Sequence, residues 1–237
     1  MESTLRPPSG PLDPSPLLPL VRRMTGDEKH DAAAGSTLPV MWALFAHVLR
    51  VEPTAPTHPD RDRFLVSKGH GPMAYYAALA WRGFFPHAWL DGFLGFESPL
   101  GAHPDRALVP GVEISSGSLG HGLPMAAGVA WALRAKGQKK PRVFCLLGDG
   151  ELDEGSNQEA IAFAARDRLG ALVAIVVDNH SASLGWPGGI AARFAAEGWR
   201  TTEVEGSEGE RLVRSLDQPP GEAPRVVVVK VAPKEQS

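Results

Sequence analysis

Three apolar runs, at residues 142–147, 171–177 and 225–231, each have the length of a strand and carry valine, leucine and isoleucine on both alternating faces. A strand that is apolar on both faces is buried on both faces, the signature of a parallel sheet covered on either side. Between these runs lie helix-period segments at 156–169, 190–197 and 208–216, and a further short strand at 199–204. Alternation of this kind predicts an α/β fold, a three-layer sandwich built on a mostly parallel sheet.

Upstream the grammar differs. Residues 20–34 read as a helix of mixed polarity. Ser36 reads as the cap of a second helix over 38–50, ended by the proline-rich run at 51–59. Short helical patterns follow at 73–81 and 88–94. Residues 97–118, rich in proline and glycine, read as a long functional loop before an alanine-rich helix at 119–136. The first twenty residues hold six prolines and lack the basic start and apolar core of a signal peptide. They are expected to form an extended arm, with residues 21–237 as the domain.

Composition excludes several classes. Twenty-four basic against twenty-seven acidic residues leave a formal charge of -3, so there is no basic field for nucleic acid or an anionic membrane. No apolar run approaches the roughly 20 residues of a membrane span. The single cysteine, Cys145, cannot form an internal disulfide and sits in a strand, which points to a reducing compartment, the cytoplasm, and a core role.

Gly148-Asp149-Gly150 lies where the first buried run ends and a helix begins. In a parallel sheet this is the ligand crevice, and glycines there let phosphate approach backbone N–H groups. Asp-Gly alone is first of all a turn signal. The next buried run, however, ends in Asp178-Asn179, one helix and one strand further on, which brings Asp149 and Asn179 to neighbouring strand ends. A carboxylate oxygen, an amide oxygen and a nearby carbonyl suit magnesium, which also takes diphosphate oxygens.

With these elements in order, the chain resembles the thiamine diphosphate enzymes, and other segments resemble the transketolase family within them. SKGHG at 67–71 before MAYYAALAWRGFFP, GAHPD at 101–105 and SSGSLGHGLPMAAGVAWALR at 115–134 match consecutive motifs of its amino-terminal part, over about residues 30–205. Deoxyxylulose-phosphate synthases and the alpha subunits of 2-oxo acid dehydrogenases share the GDG element but fit the other segments less well. The resemblance implies thiamine diphosphate and Mg2+ as cofactors. Asp149, the Asn179 side chain and the Ser181 carbonyl would bind the metal. Gly150 and His70 would contact the diphosphate, and Gly117, Ser118 and Leu119 the cofactor rings. His103 and His30 would line the substrate channel as catalytic residues, and Glu154 would join a proton network at the subunit interface.

Around His30 the family has Ser-Gly-His-Pro-Gly where this chain reads Glu-Lys-His-Asp-Ala. His121 stands where glutamine is common and is a minor candidate. His47, His58 and His87 read as structural or solvated, and His180 as solvent-facing. The aromatics between Phe84 and Phe96 read as core or subunit contact.

In the family a second, pyrimidine-binding domain supplies the glutamate that activates the cofactor. The sequence stops at Ser237 before such a domain, so the expectation is a split transketolase. A separate pyrimidine-binding chain would be the partner, two of each in a heterotetramer the expected assembly, and the substrate a small ketose or 2-oxo compound. Two alternatives stand beside it: a non-catalytic scaffold or regulatory partner, and a carboligase acting on non-sugar substrates. A simple nucleotide-binding module is disfavoured because neither a dinucleotide fingerprint nor a phosphate loop is present.

Overall fold

The computed structural model describes residues 12–26 and 31–232. Five strands, β1 (Arg63–Val66), β2 (Val143–Gly148), β3 (Leu172–Asp178), β4 (Arg200–Glu205) and β5 (Arg225–Lys230), form one parallel sheet in the order β1-β2-β3-β5-β4. The helices are α1 (Leu18–Val21), α2 (Asp31–Ala43), α3 (Met73–Arg82), α4 (Gly122–Ala135), α5 (Gly155–Arg166), α6 (Gly189–Ala196) and α7 (Gly209–Leu216). Among the described residues no helix is long and apolar enough to cross a membrane.

Alternate residues of each central strand feed opposite cores. Phe144 and Leu146 of β2, Ile175 and Val177 of β3, and Val227 and Val229 of β5 pack with α1, α2, α3 and α7. Cys145 and Leu147, Ala174 and Val176, and Val226 and Val228 pack with α4, α5 and α6. The expected three layers follow directly from this two-sided burial. The chain moves from β2 through β3 to the edge strand β4 by way of α5 and α6 on one face. It then turns back to β5, and the crossover in the reverse direction places α7 on the other face, as one constant hand of connection requires.

At the amino end of the sheet a buried carboxylate ties the layers together. Asp62 accepts hydrogen bonds from the Arg50 N–H at 3.0 Å and the Arg142 N–H at 2.9 Å. It also takes both guanidiniums, Arg50 Nη2 at 2.7 Å and Arg142 Nη2 at 2.8 Å. Arg142 also donates to the Val48 carbonyl at 2.6 Å and meets Asp217 at 2.8 Å, so one network joins β1, β2 and the end of α7.

The amino-terminal third differs from expectation. The helix expected over 20–34 is interrupted: α1 stops at Val21, Gly26 takes φ +97°, and α2 starts at Asp31. Ser36 therefore lies inside α2 and not at its start. Pro39 is also inside α2, which runs on to a π turn, Leu44–Val48, where the Leu49 N–H reaches the Leu44 carbonyl at 2.7 Å. Burial of Val40, Met41 and Trp42 against α3 outweighs the hydrogen bond that proline cannot make. Nor is the described part of the arm extended. Ser15–Leu17 is a 3-10 turn leading into α1, and Leu17 and Leu20 are buried in the core. Strand β1, not expected from sequence, buries Phe64, Leu65 and Val66 beside β2.

Candidate functional site

The carboxyl ends of β1, β2 and β3 converge. Beyond Gly148, Asp149 opens a 3-10 turn, Gly150–Asp153, and is 1% exposed. Beyond Asp178, Asn179 is 6% exposed and His180 adopts φ +58°, a left-handed conformation that histidine enters more readily than most residues. That turn swings Ser181 onto Asp149. The Ser181 N–H and O–H each donate to the carboxylate at 2.5 Å, and the Ala182 N–H donates at 3.1 Å. A Cβ on Gly150 would stand 3.3 Å from the Ser181 carbonyl oxygen, so glycine keeps this approach open.

The Asn179 Oδ1 is buried with no hydrogen-bond partner. An orphaned buried acceptor costs about 1–3 kcal/mol unless something satisfies it. Together with the Asp149 carboxylate at the end of the neighbouring strand and the Ser181 carbonyl two residues on, the donor set is all hard oxygen, and its chemistry fits a divalent cation of the magnesium type. Among the described residues no group of three or more His, Cys, Asp or Glu could hold a metal; this set depends instead on an amide and a backbone carbonyl.

Glycines let the neighbouring loops close on this point. Gly117 has φ +136°, and the His103 ring lies where its Cβ would be, with Cδ2 at 2.8 Å. A Cβ on Gly69 would meet the Gly117 nitrogen at 2.7 Å. His70 and His103 thereby meet edge to face, with ring centroids 4.8 Å apart. Ser118 is exposed and Leu119 half-buried. Glu154 is the exposed N-cap residue of α5, and Ser156 Oγ donates to the Gly120 carbonyl at 2.7 Å, pinning the 115–122 segment to that helix.

Glu151, which sequence reasoning missed, is 2% exposed in the turn after Asp149. Its carboxylate accepts from the Ser67 hydroxyl, from the Gly120 N–H at 2.9 Å and, at 3.4 Å, from the Gly148 N–H. Burial pushes its carboxyl above the usual range, against the opposing pull of those hydrogen bonds. Its place beside the GDG triplet was the available signal. Its distant partners, Ser67 and Gly120, 84 and 31 residues away, were not legible. Lys68 lies close by, its stem over Gly148 and its Nζ 3.4 Å from Ser36 Oγ.

The structure therefore brings Asp149, Gly150 and Ser181 into contact, with Asn179 two residues before Ser181 at the end of β3, and brings His103 against His70 and Gly117, which Ser118 and Leu119 follow. His30 lies outside the described residues. His121 is exposed, its Nδ1 3.1 Å from the Leu119 carbonyl, and His180 is exposed beside Asp178. His47 meets Trp42 edge to face, and His58 Nδ1 accepts from the Asp60 N–H. Of the aromatic stretch, Phe85 and Phe93 are buried, whereas Phe96 stands fully in solvent. A cavity of about 1030 Å³ opens beside Asn179, bordered by Ser36, Pro39, Gly206 and Lys230.

Residues 23–231 match the family described as transketolase, thiamine diphosphate binding domain. The chain is 52% identical over 212 residues to a Rhodococcoides fascians protein named ferredoxin fas2, covering 90% of this chain and 70% of that one. It is 37% identical over 207 residues to one of the named subunits of the apulose-4-phosphate transketolase of Actinobacillus succinogenes, covering 84% of this chain and 74% of that one. Transketolase from Leishmania mexicana superposes with a TM-score of 0.75 at 25% identity, over 94% of this chain and 37% of that chain. This chain thus spans little more than a third of that transketolase. It belongs to the transketolase family, as the thiamine diphosphate-binding domain.

Proposed function

We propose that this chain is the diphosphate- and Mg2+-binding half of a split, thiamine diphosphate-dependent transketolase, completed in the cytoplasm by a separate pyrimidine-domain chain. The observation that carries the reading is the oxygen set at the ends of β2 and β3: buried Asp149, the Ser181 carbonyl beside Gly150, and the unsatisfied Asn179 Oδ1. A scaffold has no physical need for an orphaned buried acceptor at that place. The Actinobacillus succinogenes relative is named as one subunit of its transketolase, which supports a partner chain, and two copies of each is the assembly proposed.

Asp149, Asn179 and the Ser181 carbonyl would hold the cation. Gly150 leaves room for the diphosphate, toward which His70 would donate, and the backbone of Gly117, Ser118 and Leu119 would face the rings. When bound, the cofactor supplies the nucleophilic carbon and the electron sink for carbon–carbon cleavage. His103, exposed at the crevice, would bind and move protons at substrate hydroxyls, with His30 in the same role. Glu154, exposed at the start of α5, would share a proton across the contact with the partner chain. The reaction proposed is transfer of a two-carbon ketol unit between small ketose or 2-oxo substrates.

The test is reconstitution. Ketol transfer should be absent from the purified chain, appear on addition of a pyrimidine-domain chain sought in the adjacent reading frame, and saturate at equal numbers of the two. Full activity without a second polypeptide would contradict the split assembly.

A further inference from the structure

Asp149 and Glu151 are two residues apart on one short turn, yet they serve different loops. Asp149 takes its hydrogen bonds from Ser181 and Ala182, beyond β3. Glu151 takes its own from Ser67, beyond β1, and from Gly120, in the segment that leads into α4. Ser67 Oγ in turn accepts the Gly122 N–H at 2.9 Å, and Gly122 packs so closely on Ser67 that a Cβ there would overlap it. The turn itself cannot drift, because the Glu151 carbonyl accepts Asn157 Nδ2 at 2.6 Å and the Glu154 N–H at 3.1 Å.

A carboxylate buried this deeply is costly, and the cost is offset only when its oxygens are fully engaged. Here each engagement ends on a different wall of the crevice. Replacing Glu151 would leave the N–H of Gly120 without its acceptor and Ser67 without the group that orients it toward Gly122.

Resting on the cofactor reading above, we propose that Glu151 is a positioning residue that locks the 117–122 segment to the Asp149 turn and so fixes the spacing between the ring subsite and the metal–diphosphate subsite. Such a lock acts only on a ligand long enough to occupy both subsites. Thiamine diphosphate spans them; inorganic pyrophosphate reaches only one.

That difference supplies the test. The full chain and its Glu151→Ala, Glu151→Gln and Ser67→Ala variants are titrated calorimetrically with thiamine diphosphate and, separately, with pyrophosphate, both with Mg2+. Glu151→Ala should weaken thiamine diphosphate by about tenfold or more, the effect of losing charge-assisted hydrogen bonds, and leave pyrophosphate affinity unchanged. Glu151→Gln, which keeps an acceptor oxygen for Gly120 and Ser67, should recover most of the loss. If circular dichroism shows Glu151→Ala unfolded, Ser67→Ala carries the same expected split. Equal weakening of both ligands, or of neither, would overturn the lock while leaving the cofactor reading in place. A wild-type chain that binds neither ligand would overturn both.

Discussion

The imidazoles of His70 and His103 meet edge to face, with centroids 4.8 Å apart and planes at 82°. They come from different loops, one leaving β1 and the other following the 94–100 segment, and the contact places a half-buried ring behind an exposed one. The two should therefore fail differently. His103→Ala is expected to leave thiamine diphosphate affinity intact and to lower turnover of the reconstituted enzyme by about 10²-fold, the ordinary scale for losing a positioned proton-transfer group. His70→Ala should weaken the cofactor itself. Paired calorimetry and steady-state kinetics read the two effects apart, and equal loss of cofactor binding in both variants would remove the distinction.

Gly117→Ala should disturb the same place through sterics alone. Its φ of +136° is open to glycine and strained for other residues, and the new Cβ would stand 2.8 Å from His103 Cδ2. A stability loss of about 1–3 kcal/mol in urea unfolding is expected, with turnover reduced although His103 is still present. Unchanged turnover would mean that the packing of His103 on Gly117 has no bearing on the reaction.

The Asp62 network predicts the acid behaviour of the fold. Burial alone would raise this carboxyl, but hydrogen bonds from Arg50 and Arg142 more than offset it and hold it below the usual range. A depressed folded-state pKa gives stability that is present above the unfolded value of about 3.9 and is lost as pH falls through the folded value. The urea midpoint should hence show no change due to Asp62 between pH 7 and 5, where its contribution is fully present, and a decline below about pH 4. Asp62→Ala should cost about 3–5 kcal/mol at pH 7 by removing the buried partner that Arg50 and Arg142 share, leaving only the solvent-exposed Asp217 against Arg142, and should flatten the acid limb. An acid limb identical in the variant would assign that decline to other carboxylates.

What could be read from sequence depended on how local the cause was. Strands β2, β3 and β5 announced themselves because burial on both faces leaves no polar position to obscure the run. Asp149 and Asn179 were legible as a pair because one helix and one strand fix their separation. Strand β1 was missed because it has four residues, one of them Arg63, and gains its identity only by pairing with β2. The start of α2 was misplaced because Ser36 carries a capping signal that packing of the helix against α3 overrides. The roles of His70 and His103 entered only through resemblance and their contact not at all; nor did Glu151, since Ser67 and Gly120 reach it across the tertiary fold.

The central claim, that Asp149 and Asn179 form the cation seat through which the diphosphate is held, is tested most directly by one titration. Thiamine diphosphate is added to the purified chain with and without Mg2+, and to Asp149→Ala with Mg2+, each shown folded by circular dichroism. The account predicts saturable binding that requires Mg2+ and is abolished in Asp149→Ala with the fold retained. Binding of equal strength without the metal, or undiminished in Asp149→Ala, would contradict it.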